Sequence, residues 1–319
     1  MGDKLLLSGG TGSFGQAFVE IALRENRYDV IRIYSRSEFL QDEMAKRLNN
    51  SRLRFLIGDV RDKSRLYRAM TDIDIVVHAA ALKQIPTAEY NPYETAKTNI
   101  DGAMNVIDAA IDMGIKKVLA LSTDKACSPT TIYGATKLVA EKLFIQANVY
   151  AKDTRFSCVR YGNVLMSRGS ILPLFLKQKE EGVLTITDER MTRFWISLEQ
   201  GVHFVMDRLD GMQGGEIFVP KIPSMKITDM ADAIAPDAVL KITGIRPGEK
   251  LHEVLITEEE SNHTMELDKY FVVLPEYPFW SDEKLEVGGK PTKIGRYASD
   301  SNEWWLTKEE LKAMIGIKT

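Results

Sequence analysis

Cysteine is nearly absent from the chain. Cys127 and Cys158 are the only two, too few and too unpatterned for a disulfide framework or a thiolate metal site, which suits a reducing compartment. Histidine is scarce as well, four residues in all; His78 and His252 show no metal-ligand spacing, so no metal is expected. No apolar run approaches the length of a membrane span, and after the opening Met1-Gly2-Asp3-Lys4 only Leu5 to Leu7 precede the first glycines. That is too short for a signal peptide, and a cytoplasmic protein with no membrane partner is expected. Charge of one sign is missing too: 42 basic side chains nearly cancel 45 acidic ones. No global field exists to hold nucleic acid, and any anionic ligand must be gripped by local groups. Low-complexity segments and internal repeats are likewise absent.

What is present is a rhythm. Apolar runs at Lys4 to Ser8, Val30 to Tyr34, Leu53 to Ile57, Ile73 to His78 and Val118 to Ser122 alternate with helical spacing over Gln16 to Arg24, Glu38 to Leu48, Ser64 to Met70, Thr95 to Met113 and Ala135 to Tyr150. Strands with continuous apolar character are covered on both faces, so the fold class is α/β, a doubly wound parallel Rossmann sheet. Phe156 to Val159 adds a strand, after which the rhythm breaks into turn and charged clusters. The expected division is a cofactor domain over 1–165, to which 195–222 returns through a strand at Gly215 to Val219, and a smaller mixed α/β subdomain over 166–319, interleaved with the first.

The first strand runs into Ser8-Gly9-Gly10-Thr11-Gly12-Ser13-Phe14-Gly15 and then a helix. A bare Gly-x-Gly-x-x-Gly is weak evidence, but between a strand and a helix it marks a dinucleotide loop. Glycines let the backbone approach a pyrophosphate, which rests on the helix N-terminus. Gly9, Thr11, Gly12, Ser13, Phe14 and Gly15 are the candidates. The second strand ends in Ser35-Arg36 and not in the acid that binds a ribose 2′-hydroxyl, which favours a 2′-phosphate and so NADP over NAD. Asp59 and Val60 after the third strand suit the adenine, and Ala79, Ala80 and Ala81 after the fourth leave room for the dinucleotide.

Reactive side chains gather after the strand ending at Leu121. Thr123, Asp124 and Lys125 come first, then Tyr133 and Lys137, four apart and thus on one helix face. Lys137 is expected to lower the Tyr133 pKa, so that the phenolate takes a proton from a sugar hydroxyl as hydride leaves the same carbon; Thr123 is expected to bond the same oxygen. Tyr133 and Lys137 would also contact the cofactor.

Together these segments resemble the extended short-chain dehydrogenases. Ser122 to Ala126, Pro129, Tyr133 to Lys137, Arg160 to Asn163, Arg190 to Trp195 and Arg246 to Glu253, with Gly58 to Asp62 and His78 to Lys83, are similar to the inverting UDP-N-acetylglucosamine 4,6-dehydratases that open the pathway to pseudaminic acid. The resemblance implies oxidation at C4, loss of water across C5 and C6, return of hydride to C6 and inversion at C5. It also implies that Asp124 is the acid and Lys125 the C5 base. A lysine base must be neutral, which is expected to require Lys137 and the nicotinamide cation to act against Asp124. For UDP-N-acetylglucosamine the resemblance points to Asn163, Arg193, Arg246, Glu249 and Lys83, and it implies a homo-oligomer formed through helices of the cofactor domain. Two other readings stay open: a UDP-sugar 4-epimerase, which needs no acid and base at C5 and C6, and a non-catalytic NADP-sensing module, against which the reactive residues argue.

Overall fold

Three successive leucines, Leu5, Leu6 and Leu7, have no exposed surface at all, as a strand covered on both faces requires. Each such side chain contributes roughly 1.5–3 kcal/mol of burial. The computed structural model describes residues 2–167, 169–280 and 285–316. Its first half runs β1 (Lys4–Ser8), α1 (Ser13–Arg24), β2 (Val30–Ser35), α2 (Glu38–Leu48), β3 (Leu53–Ile57), α3 (Lys63–Met70), β4 (Ile75–His78), α4 (Ile85–Tyr90), α5 (Pro92–Ala96), α6 (Gly102–Asp112), β5 (Lys117–Leu121), α7 (Ile132–Gln146) and β6 (Arg155–Val159).

The strands lie in the order β3-β2-β1-β4-β5-β6 and are parallel throughout. Ile217–Pro220 continues the sheet in parallel beside β6. The order reverses between β1 and β4, and a crevice opens there beyond the C-terminal strand ends. The α/β doubly wound fold expected from the sequence is therefore present. Past Ile217–Pro220 the sheet gains Tyr270–Val273 and Thr264–Glu266, both antiparallel, and then Lys290–Pro291. The sequence pattern gave no sign of these three. They cover what would be an open apolar edge, and Phe271, Val272 and Val273 are buried as a result.

A second apolar cluster, including Leu172, Phe175, Leu184, Trp195, Met225 and Leu311, centres the smaller module. Its strands are Asn163–Val164, Thr192–Ile196 and Ser224–Lys226 in one sheet, with Val183–Ile186 paired to Val239–Ile242 and Val254–Ile256 paired to Tyr297–Ala298.

Two features fix α7 and its surroundings. Thr131 caps its N-terminus through a hydrogen bond from the Gly134 amide. The fully buried Arg160, just past β6, donates to Glu141 of α7 through Nε (3.1 Å), to both oxygens of Glu260 (2.8 Å each) and to the Leu255 carbonyl (2.8 Å). The helix expected over Thr95 to Met113 is interrupted by a π-helical turn, Lys97–Asp101, between α5 and α6. Within it Asn99 donates to the Leu82 carbonyl (3.0 Å) and to Thr136 Oγ1 (3.0 Å), and accepts from the Leu82 amide (2.9 Å). The turn thus ties the loop after β4 to α7.

Candidate active site

The crevice holds a cleft of 940 Å³ lined by the loops after β1 to β6, and it opens into a second cavity of 580 Å³ against the smaller module. Lys125, Asn163, Ser170 and Arg246 line both. Among the described residues no group of His, Cys, Asp and Glu is placed to hold a metal ion, and no helix is long and apolar enough to cross a membrane.

Gly9, Thr11, Gly12, Ser13, Phe14, Gly15, Ser35, Arg36, Asp59, Val60 and Ala79 to Ala81 all line the larger cleft. Gly9 has φ +71°, and a Cβ on it would sit 2.8 Å from the Ala80 amide; a Cβ on Gly15 would sit 2.5 Å from Gly10. Only glycines allow this turn. Gly12 caps α1 without a side chain over its first turn, which also lacks acidic residues. The cradle therefore fits a dinucleotide pyrophosphate. Ser35 is buried, its hydroxyl accepting from Gln41 Nε2 (2.9 Å), whereas Arg36 is exposed with no hydrogen bond or ion pair among the described residues. Asp59 is more committed than its sequence position suggested. Burial opposes its ionisation, but the Arg61 guanidinium, at 2.7 and 3.0 Å, holds it below the usual carboxylate range. Nearby, the buried His78 bonds Ser8 Oγ at 2.8 Å, and burial pulls it down to about 3.

The reactive residues meet as expected, with different electrostatics. Thr123 Oγ1 donates to Asp124 Oδ1 (2.8 Å), and Tyr133 and Lys137 line the same cleft. Burial pushes Tyr133 up to about 12, and the cation working against that is Lys125. Lys137, which the sequence sets on the same face, donates its ammonium to the Leu121 carbonyl at 2.6 Å. Lys125 Nζ lies 3.0 Å from Asp124 Oδ1 and 3.1 Å from Glu253 Oε1. Burial disfavours its charge, but the two carboxylates prevail and hold the ammonium above its ordinary value. Lys125 is thus a cation in this state, and the positive charge that opposes it is that of Arg193. Asp124 is 1% exposed; burial raises its pKa against the pull of Lys125, and its Oδ2 has no hydrogen-bond partner.

Of the substrate candidates, Asn163 stands at the junction of the two cavities with a buried, unpartnered Oδ1. Arg246 is exposed on both walls, and Lys83 lines the larger cleft. Arg193 is buried and spent on the chain itself, donating to the carbonyls of Thr192 (2.7 Å), Leu251 (2.9 Å) and Lys250 (3.0 Å). Glu249 accepts from the Arg246 amide (3.2 Å) and lies 3.6 Å from Arg193. Sequence reasoning passed over Glu253, although it closes the Arg246 to Glu253 motif, because nothing local marks Lys125 as its partner. Trp195, also buried, lines the second cavity, and its Nε1 has no hydrogen-bond partner.

The sequence pattern of a family described as polysaccharide biosynthesis protein matches residues 5–275. The chain belongs to that family. Its relatives include a UDP-N-acetylglucosamine 4,6-dehydratase (inverting) of Campylobacter jejuni, 52% identical over 98% of this chain and 97% of that one. A UDP-glucose 4-epimerase of Rickettsia conorii is 43% identical over 98% and 95%. Among solved structures, Pen from Bacillus thuringiensis superposes with a TM-score of 0.89 at 38% identity, covering 99% of each chain. The extended short-chain dehydrogenase resemblance accordingly holds across the whole length of this family member.

Proposed function

We propose that the protein is an inverting UDP-N-acetylglucosamine 4,6-dehydratase that uses NADP and supplies the first intermediate toward pseudaminic acid or a related surface sugar. The observation that carries this reading is the Asp124–Lys125 pair at 3.0 Å beside Tyr133, with one Asp124 oxygen buried and free. Oxidation alone needs only Tyr133; an adjoining acid and base are what elimination adds. The 52% identical relative supports the same reading.

When bound, the dinucleotide would accept a hydride from C4 and return the same hydride to C6, so that the oxidation and the reduction cancel over one turnover. Gly9 to Gly15 hold its pyrophosphate, and the unpaired Arg36 with Ser35 meets a 2′-phosphate. Tyr133 takes the proton of the C4 hydroxyl, aided by Lys125 and Thr123. Elimination then needs a neutral Lys125 and a protonated Asp124. One proton passing from Lys125 Nζ to the Asp124 carboxylate produces both states at once. Lys125 removes the C5 proton, Asp124 protonates the departing C6 oxygen, and water leaves, which restores the ion pair seen in the structure. In this reading Asn163 and Arg246 would bind the diphosphate of UDP, Arg193 the phosphate or sugar, Lys83 the sugar side of the cleft and Glu249 the uridine ribose.

In this reading 1–165 and 195–222 form the cofactor unit, and most of 166–319 the sugar-nucleotide unit. Exposed apolar side chains on α6 (Met104) and α7 (Val139) favour a homo-oligomer built through these helices, and the protein works in the cytoplasm. The test is incubation with UDP-N-acetylglucosamine in heavy water without added reductant. Loss of one water, a new 6-methyl signal, deuterium at C5 and an L-arabino ring are expected; an unchanged mass with a 4-epimer would overturn the dehydratase in favour of the epimerase named for the Rickettsia relative.

A further inference from the structure

The geometry points to Glu253 as a positioning residue for the acid–base pair: its carboxylate clamps Lys125 Nζ against Asp124 and sets how readily that lysine gives up its proton. The inference rests on the dehydratase reading for its catalytic meaning, but not for its electrostatics. Glu253 is 2% exposed, and its backbone is tied on both sides of the peptide. Its amide donates to Ser299 Oγ (2.9 Å), and its carbonyl accepts from the Ser299 amide (2.8 Å). Ser299 Oγ in turn lies 2.7 Å from Thr192 Oγ1, which contacts His252 at 2.8 Å. A carboxylate fixed in this way to the smaller module reaches 3.1 Å from a lysine carried by the sheet.

The charges around Lys125 come from every neighbouring element. Asp124 on its own turn and Glu253 favour the ammonium. Arg193 from Thr192–Ile196 and Lys83 from the loop after β4 repel it. Tyr133 from α7 faces it, and Arg246 and Glu249 share its cavity. Behind Glu253 stand Arg193 at 3.8 Å and Lys250 at 3.9 Å, while its Oε2 lacks a hydrogen bond. Lys125 therefore competes with two further cations for one carboxylate. With Glu253 holding Lys125, the proton stays on the lysine; with Glu253 neutral or drawn to Arg193 and Lys250, transfer to Asp124 becomes easier. An opposite charge at this distance shifts a titration by about one to three units.

The experiment compares the full-length wild type with Glu253→Gln and Glu253→Asp, each checked for folding by thermal melting. Lysines are acetylated with trace acetic anhydride over a pH series, and Lys125 is quantified by peptide mass spectrometry against the exposed Lys226. In Glu253→Gln the midpoint of Lys125 labelling falls by about one unit or more. Glu253→Asp, which keeps the charge but withdraws it by a methylene, shifts it less in the same direction and carries the test alone should the glutamine variant not fold. The ascending limb of C5 deuterium incorporation from UDP-N-acetylglucosamine moves down in pH by the same amount. A glutamate that merely supports the fold would lower the amplitude and leave both midpoints in place, and unmoved midpoints overturn the proposal. If wild type leaves the sugar unchanged, the dehydratase reading fails while the labelling midpoint still decides the role of Glu253.

Discussion

Two buried charge clusters are assembled from the same stretches of chain, and they are finished differently. Arg160 sits past β6 and meets Glu141 of α7 and Glu260; Lys125 sits past β5, near Tyr133 of α7, and meets Asp124 and Glu253. In the first cluster the guanidinium bonds two carboxylates and a carbonyl, and none of the carboxylate oxygens of Glu141 or Glu260 is left buried without a partner. In the second, Asp124 Oδ2 and Glu253 Oε2 are buried without a hydrogen bond. A completed network has one state and holds structure. An incomplete one has somewhere to send a proton.

The comparison is sharpened most by Asp124→Asn. It removes the acid but breaks no bond at Oδ2, so dehydration should fall by about 10²–10⁴-fold with little change in melting temperature, followed by NMR of the product and by thermal melting. A variant that unfolds would put Asp124 on the structural side with Arg160.

Arg160→Met is the converse. It strands two buried carboxylates and should cost about 3–5 kcal/mol in urea unfolding. The pH dependence carries a definite sign. Burial works against the Glu260 charge, yet Arg160 holds its pKa below the ordinary glutamate value of 4.5. Its contribution is therefore complete above that value and lost as pH falls through the depressed one. Glu260→Gln should be less stable than wild type near neutrality, and the gap should close on acidification; a gap constant with pH would mean that packing, not charge, holds this cluster together.

The smallest effect concerns Arg36, a cleft cation without a hydrogen bond or ion pair among the described residues. Arg36→Ala should weaken NADP binding by roughly tenfold or more, the loss of a charged hydrogen bond, and leave NAD binding unchanged when both are titrated by calorimetry. Equal losses for both cofactors would remove the 2′-phosphate assignment.

The sequence showed the glycine loop, the strand ends and the Tyr133–Lys137 face because each is a local pattern: an alternation, a spacing or a turn. It left the state of Lys125 open because one of the two carboxylates that hold it, Glu253, arrives from a distant segment carried on another sheet. Arg193, expected at the phosphate or sugar, shows the same limit: an arginine in a cationic motif looks the same in sequence whether or not it also bonds the carbonyls of Lys250 and Leu251. The final strands of the large sheet escaped notice because Thr264–Glu266 and Lys290–Pro291 are too short to show a period.

The π-helical turn at Lys97–Asp101 is a matter of phase. An α-helix advances by about 100° per residue, so a turn widened by one residue offsets everything after it by that angle. The face of α5 and the face of α6 are each timed to their own neighbours, and Asn99 stands where the two timings are reconciled. Deleting a single residue there would leave both helices intact as helices and still point one of them the wrong way.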